Sequence, residues 1–204
     1  MKLTKISQQV SHPDRYAIYV DGRYSFSLSG TALLNQKLAS GQIIDDQQLK
    51  TLKKLSVDDK VYYYALRFAA MRPRSQWELQ TYLQRKNVTG PETEVILNKL
   101  SQAGLLDDEA FARSWLENRQ LLKPSSTRRL VQELRQKHVE EQTIQKTLAG
   151  SQIDNQTTIV QVIIKKRRLA KYRQDELKLM QYLTRQGFNY ADIKAALASK
   201  ASKS

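Results

Sequence analysis

Residues 71–87 read MRPRSQWELQTYLQRKN, and the second half of that stretch returns twice downstream. Leu79, Leu83 and Val88 align with Leu130, Leu134 and Val139, and again with Leu179, Leu183 and Phe188. Leucines four apart share one face of a helix. Four residues past the second leucine of each copy stand Asn87, His138 and Gly187. These residue types tolerate the left-handed backbone that ends a helix, so every copy predicts a helix carrying its own stop. Ser75 and Glu78 have the spacing of a capping box at the start of the first copy.

Beyond each stop an apolar pair four apart predicts a short third helix: Ile96 with Leu100, Ile144 with Leu148, Ile193 with Leu197. The first copy holds extra residues in TGPE, where Pro91 suits a first helical turn. The joints resemble one another as well, Ala103-Gly104-Leu105-Leu106-Asp107 against Ala149-Gly150-Ser151-Gln152-Ile153-Asp154, and each aspartate can cap the helix that follows. Ahead of the first copy, Val61, Tyr64, Ala65 and Phe68 predict one buried helix face. The expectation is three tandem three-helix repeats, residues 58–106, 107–153 and 154–204, stacked as an elongated, curved, mainly α array.

Residues 1–57 differ. KLTKISQQV, YAIYV and RYSFSLS alternate with a period near two, and Asp21-Gly22 between the last two is a hairpin signal. Two helices are expected next, about 29–38 and 45–55, with Gly41 stopping the first and the aspartates of ASGQIIDD capping the second. This part reads as a small α+β module of a β-hairpin plus helices. The pairs Asp58-Asp59 and Asp107-Asp108 fall where helices are expected to begin.

The chain has 204 residues, no cysteine and two histidines, with 34 basic against 20 acidic residues and a net charge of +14. Disulfides, thiolate metal sites and cysteine nucleophiles are excluded. His12 and His138 lie in no metal-ligand spacing and read as structural residues. Nucleotide-binding loops and nucleophile elbows are missing too, so neither catalysis nor a metal or other cofactor is expected. No apolar run is long enough to cross a bilayer and the N-terminus lacks a signal-peptide core, which points to a cytoplasmic protein without membrane contact. The positive excess implies a polyanionic partner or an acidic protein surface. Residues 155–204 hold eleven of the basic residues and three of the acids.

Candidate binding residues follow from the charge pattern. Arg67, Arg72 and Arg74 surround Pro73, and Arg113, Arg119, Lys123, Arg128 and Arg129 occupy the corresponding place in the second repeat. Stacked repeats would carry both groups along one edge. Lys165, Lys166, Arg167 and Arg168, with Lys171 just beyond, sweep most of the way round a helix end that should project. A cationic last turn also complements the helix dipole. The aromatic residues Tyr62, Tyr63, Tyr64, Phe68, Trp77, Phe111 and Trp115 fall mostly on faces that should be core rather than base-stacking platforms. Major-groove reading by the third helices is disfavoured, because they open with Glu92 and Glu94, Glu140 and Glu141, and Asp192, which would face phosphates.

YALRFAAMRPRSQWELQTYL, AGLLDDEAFARSWLENR and LTRQGFNYADIKAAL resemble the signature segments of the RecX family, regulators of the bacterial RecA recombinase. Arg72, Arg74, Ser75, Glu78 and Leu79 match the first motif together; Asp107, Asp108, Phe111 and Ala112 match the second. DRYAIYVDGRYSFSLS resembles the strand-rich extension of some members. Leu106 stands where isoleucine is usual, and His138 where glycine is usual. The resemblance implies a non-enzymatic monomer that binds the RecA filament on single-stranded DNA, with double-stranded DNA a further candidate, and depresses its ATPase, strand-exchange and coprotease activities. The basic residues named above are the expected contacts. The alternative is a general nucleic-acid-binding helical protein that acts independently of RecA.

Overall fold

The structure is a computed structural model that describes residues 1–201. Three antiparallel strands, β1 (Leu3–Gln8), β2 (Arg15–Val20) and β3 (Arg23–Ser29), lead into α1 (Gly30–Asn35) and the long α2 (Asp46–Ala70). Then come α3 (Gln76–Gln84) and α4 (Gly90–Gln102); α5 (Asp108–Leu122), α6 (Thr127–Gln136) and α7 (Glu141–Ala149); and α8 (Asn155–Arg167), α9 (Ala170–Arg173), α10 (Glu176–Arg185) and α11 (Tyr190–Ala201). The fold is mainly α, with three-helix units after the small sheet. By their internal contacts the residues fall into two compact units, 1–72 with 82–100, and 73–81 with everything from 101 onward.

In the first unit the β2–β3 turn places Asp21 at φ 47° and Gly22 at φ 82°, the backbone of the expected hairpin. Leu3, Ile18, Val20, Phe26 and Leu28 form the inward face and meet Ile44 and Leu52. Two separate helices, about 45–55 and from 58, are not what forms: α2 runs unbroken through both. No glycine or proline interrupts residues 55–59, and the polar groups there are used sideways. The Ser56 hydroxyl donates to the Ser27 carbonyl at 2.7 Å. Asp59, expected beside a helix start, sits mid-helix instead and accepts from the buried Arg15 guanidinium at 2.9 Å. On the expected buried face Ala65 is buried while Val61, Tyr64 and Phe68 are only half-buried; Tyr63 and Ala69 complete it.

The three stops have one geometry. Asn87, His138 and Gly187 take φ 58°, 55° and 85°. Their N–H groups donate to Gln84, Arg135 and Thr184 carbonyls at 2.9 Å each. The N–H groups of Val88, Val139 and Phe188 reach back to Leu83, Leu134 and Leu183 at 3.2, 3.2 and 3.3 Å. That double closure is the Schellman motif, and the accompanying apolar contact seals it. Leu83, Leu134 and Leu183 are fully buried. Ile144 joins the second repeat's core, and Ile193 with Leu197 the third's. The joints are less alike than their sequences: Gly104 is left-handed at φ 70°, whereas Gly150 is right-handed at φ −79°.

The first helices of the second and third repeats begin at the expected caps. Asp107 accepts from Glu109 N–H at 2.8 Å, and Asp154 from Thr157 N–H at 2.7 Å. The Thr157 bonds hold the Asp154 carboxyl below the usual carboxylate range. The residue after each aspartate does something the sequence did not announce. Asp108 accepts from Gln76 N–H, the first residue of α3, at 2.8 Å. Asn155 Oδ1 accepts from Thr127 N–H, the first residue of α6, at 3.0 Å. Asp59, next to Asp58, likewise accepts from the N–H and hydroxyl of Ser29, the cap of α1, at 2.8 and 2.5 Å. Each of the three thus ties down a helix start earlier in the chain and within its own compact unit.

Burial raises the Asp108 carboxyl above its ordinary value, outweighing the Gln76 bond that lowers it. A raised folded value means the charged form opposes folding: the penalty is absent below the unfolded value and complete once pH exceeds the folded one. Asp108→Asn, which copies Asn155, is therefore expected to keep or raise stability at pH 7, the gain fading below pH about 4. Asp108→Ala leaves the Gln76 N–H without its acceptor and should cost about 1 kcal/mol. Urea unfolding across pH reads both. At Gly187 a Cβ would stand 2.5 Å from Ser126 Oγ and 3.2 Å from Arg129 Cβ, on a left-handed backbone. Gly187→Ala should cost about 2 kcal/mol in the same measurement.

Candidate polyanion interface

The cations nominated from sequence divide into those held by acids or rings and those directed outward. Arg67 is exposed and lies over the Tyr63 ring at 5.9 Å, and Arg72 is exposed at the end of its unit. Arg74 faces Glu78 at 3.9 Å. Arg113 pairs with Glu109 at 3.2 Å, and Glu109 also receives Lys146 at 2.6 Å. Arg119 pairs with Glu133 at 2.7 Å while its guanidinium covers Trp115 at 4.8 Å. Arg129 pairs with Glu133 at 3.2 Å and donates to the Arg185 carbonyl at 2.9 Å. Lys123 and Arg128 are exposed.

In the third repeat the helical run is also split. Lys165 and Arg168 are exposed and Arg167 is half-buried, while Lys166 lies over the Tyr182 ring at 4.3 Å and Tyr172 at 5.8 Å. Lys171 is exposed above Tyr172 at 5.6 Å. The short α9, which no periodicity announced, follows this run.

Two carboxylates organise the second unit. Glu133 accepts from Arg119, Arg129 and the Trp115 indole, the last at 3.1 Å. Glu78 Oε1 takes Lys137 at 2.7 Å. Lys137 lies 6.0 Å from the Trp77 ring and 5.4 Å from Trp115, and Trp77 stacks on His138 at 4.8 Å. Sequence reading missed both Lys137 and Glu133 as organisers; the i, i+4 spacing of Arg129 and Glu133 was the available signal. Ser75 does cap α3, accepting from Glu78 N–H at 3.2 Å, while the Glu78 carboxylate serves the second repeat. Trp77 and Trp115 are thus occupied as expected of packed aromatics. Three of the acids at the third-helix starts are engaged: Glu92 with Thr89 N–H, Asp192 with Gln156, and Glu141 in a fork with Arg135 at 2.8 and 2.9 Å. That fork draws the Glu141 carboxyl down to about 2.

Two of the grooves on the second unit lie among the nominated cations. The larger, about 1160 Å³, lies between α5, α7 and α8, and its charges alternate: Glu109, Glu117 and Asp154 against Arg113 and Lys146. A polyanion gains little there. The smaller, about 470 Å³, runs between α6 and the C-terminal end of α10. Arg128, Arg129, Gln132, Glu133 and Gln136 of α6 line one wall, and Thr184, Arg185 and Gly187 line the other. Arg185, Gln132, Gln136 and Thr184 were not nominated from sequence, because nothing in the order of residues shows that α6 lies beside the stop of α10. Gly187 allows it: Ser126 N–H and hydroxyl both reach the Gln186 carbonyl, at 3.3 and 3.1 Å.

Among the described residues no three His, Asp or Glu side chains could share a metal ion, and no described helix is long and apolar enough to cross a membrane. Three-helix units joined by helix-start caps, with basic residues outward, define a cationic helical-repeat protein. Family models for the RecX N-terminal domain, first three-helix domain and second three-helix domain match residues 1–45, 62–100 and 107–148. The regulatory protein RecX of Halalkalibacterium halodurans is 31% identical over 188 residues, 90% of this chain and 71% of that protein. The chain belongs to the RecX family of regulatory proteins. The Bacillus subtilis RecX is 26% identical over 199 residues, 96% of this chain and 75% of its own length. A crystal structure of a regulatory protein RecX superposes with a TM-score of 0.67 at 27% identity, covering 95% of this chain and 98% of that one. The RecX structure from Lactobacillus salivarius, at 20% identity and a TM-score of 0.58 over 70% of this chain, shares the fold.

Glu133→Ala strands two guanidiniums and an indole N–H and is expected to lower stability by about 2 kcal/mol, read as a drop in the urea midpoint with the slope unchanged.

Proposed function

We propose that this chain regulates the RecA recombinase by binding alone, engaging RecA filaments on single-stranded DNA and depressing their ATPase, strand-exchange and coprotease activities. The observation that carries the reading is membership of the RecX family across the N-terminal domain and two successive three-helix domains. Physical features support it. The excess of 34 basic over 20 acidic residues suits a nucleoprotein target. Arg128, Lys123, Lys165, Arg168 and Lys171 point outward in the second unit and are the proposed contacts to filament or DNA. Arg74, Arg113, Arg119 and Arg129 contribute through the acids they hold, shaping the surface rather than reaching the partner. A monomer acting in the cytoplasm without a cofactor fits this role, and modest contacts from successive repeats add through effective concentration along a polymer.

The test is an ATPase titration: RecA on single-stranded DNA, with this protein added to saturation. The steady-state rate is expected to fall several-fold; an unchanged rate at saturating protein removes the reading.

A further inference from the structure

We infer that the groove between α6 and the end of α10 is a binding site for the sugar-phosphate backbone of single-stranded nucleic acid, contacted directly by this chain. The inference rests on the proposed function for the identity of the polymer but is read without RecA. Arg128, Gln132 and Gln136 recur at every fourth residue of α6 and so form one stripe about 12 Å long. That length suits a run of backbone rather than a lone anion. Across from the stripe stand Thr184 and Arg185.

The chemistry is that of phosphate and sugar contacts. Guanidiniums, amides and hydroxyls are the side chains that hold nucleic-acid backbone without reading bases. Arg128 has no partner among the described residues and is exposed, and Arg185 is exposed with its Nε on the Gln181 carbonyl at 3.3 Å. Both can turn to a phosphate. Glu133 partly offsets Arg129, and Arg129 also donates to the Arg185 carbonyl at 2.9 Å, which ties the two walls together while three arginines against one glutamate leave the lining cationic. Among the basic surfaces of this unit, the groove joins free guanidiniums to two walls. The larger α5–α7–α8 groove has walls but carries three acids against two bases.

The experiment uses the full chain and a fluorescein-labelled oligothymidylate, with anisotropy read at several salt concentrations and no RecA present. Arg128→Glu with Arg185→Glu is expected to weaken binding about tenfold and to reduce the salt slope by about 2. Lys50→Glu with Lys53→Glu, two exposed residues of α2, makes the same change in net charge and is expected to weaken it by only about twofold, as a nonlocal field effect. Gln132→Ala with Gln136→Ala, which changes no charge, should weaken binding about threefold. Thermal melts confirm that each variant is folded. Equal losses in the two charge-reversed pairs, or wild-type binding by the groove pair, overturn the assignment. If the groove pair binds oligothymidylate normally yet no longer inhibits the RecA ATPase, the groove is a protein-docking surface and the nucleic-acid assignment is wrong while the proposed function stands. Groove-dependent binding in a protein that leaves the RecA ATPase untouched upholds the site and removes the proposed function.

Discussion

A carboxylate or amide one residue after a helix cap, turned back onto an earlier helix start, recurs at Asp108 and Asn155, and Asp59 makes the same kind of contact from within α2. The groups it satisfies are backbone or hydroxyl donors at helix starts, which have no intrahelical partner and would otherwise need water. An unmade bond at such a half-buried place costs more than a made one contributes, so the contact acts chiefly as a register constraint. With it in place, the cap of α6 can meet the stop of α10, and Trp77 can meet His138.

The left-handed stops serve that same stacking. Each stands four residues past a fully buried leucine, which turns the chain at a defined place and sends the third helix back across the core. Asn87 and His138 carry side chains on this backbone, while Gly187 lies where the neighbouring repeat comes too close for a Cβ. His138 has a compensating role, since its ring stacks on Trp77 and extends the Lys137 and Trp115 cluster. The same motif is therefore filled differently according to what the adjoining unit puts there.

Charge is arranged by this packing as well. A +14 chain would repel itself if its cations were left evenly spread, and the structure spends many of them on Glu78, Glu109, Glu133 and Glu141 or on aromatic faces. The exposed pairs at Glu109 and Glu141 are individually weak, while those at the largely buried Glu78 and Glu133 are held more firmly. Their effect is selective: they fix which guanidiniums are held inward and which remain outward for a polyanion. The groove between α6 and α10 is what remains after that selection, its lining holding three arginines against one glutamate.

Much of the fold was legible in the order of residues because its signals are local. Leucine spacing, the residue at the stop, the aspartates at 107 and 154 and the Asp21-Gly22 turn each act over a few residues, and the structure places helices, left-handed positions, caps and hairpin there. The continuous α2 was misread because a local cue, Asp58-Asp59, was assigned the local use that such pairs usually have, whereas Arg15 and Ser29 claimed Asp59 from another element. For the site the balance reverses. Composition determined that the chain carries a large positive excess and which residues supply it. Only tertiary packing decided that Arg119 and Arg129 share Glu133, that Lys166 covers tyrosines, and that Arg128 and Arg185, far apart in the chain, line one groove, because ion pairing and groove walls depend on distances between elements that no spacing along the sequence encodes.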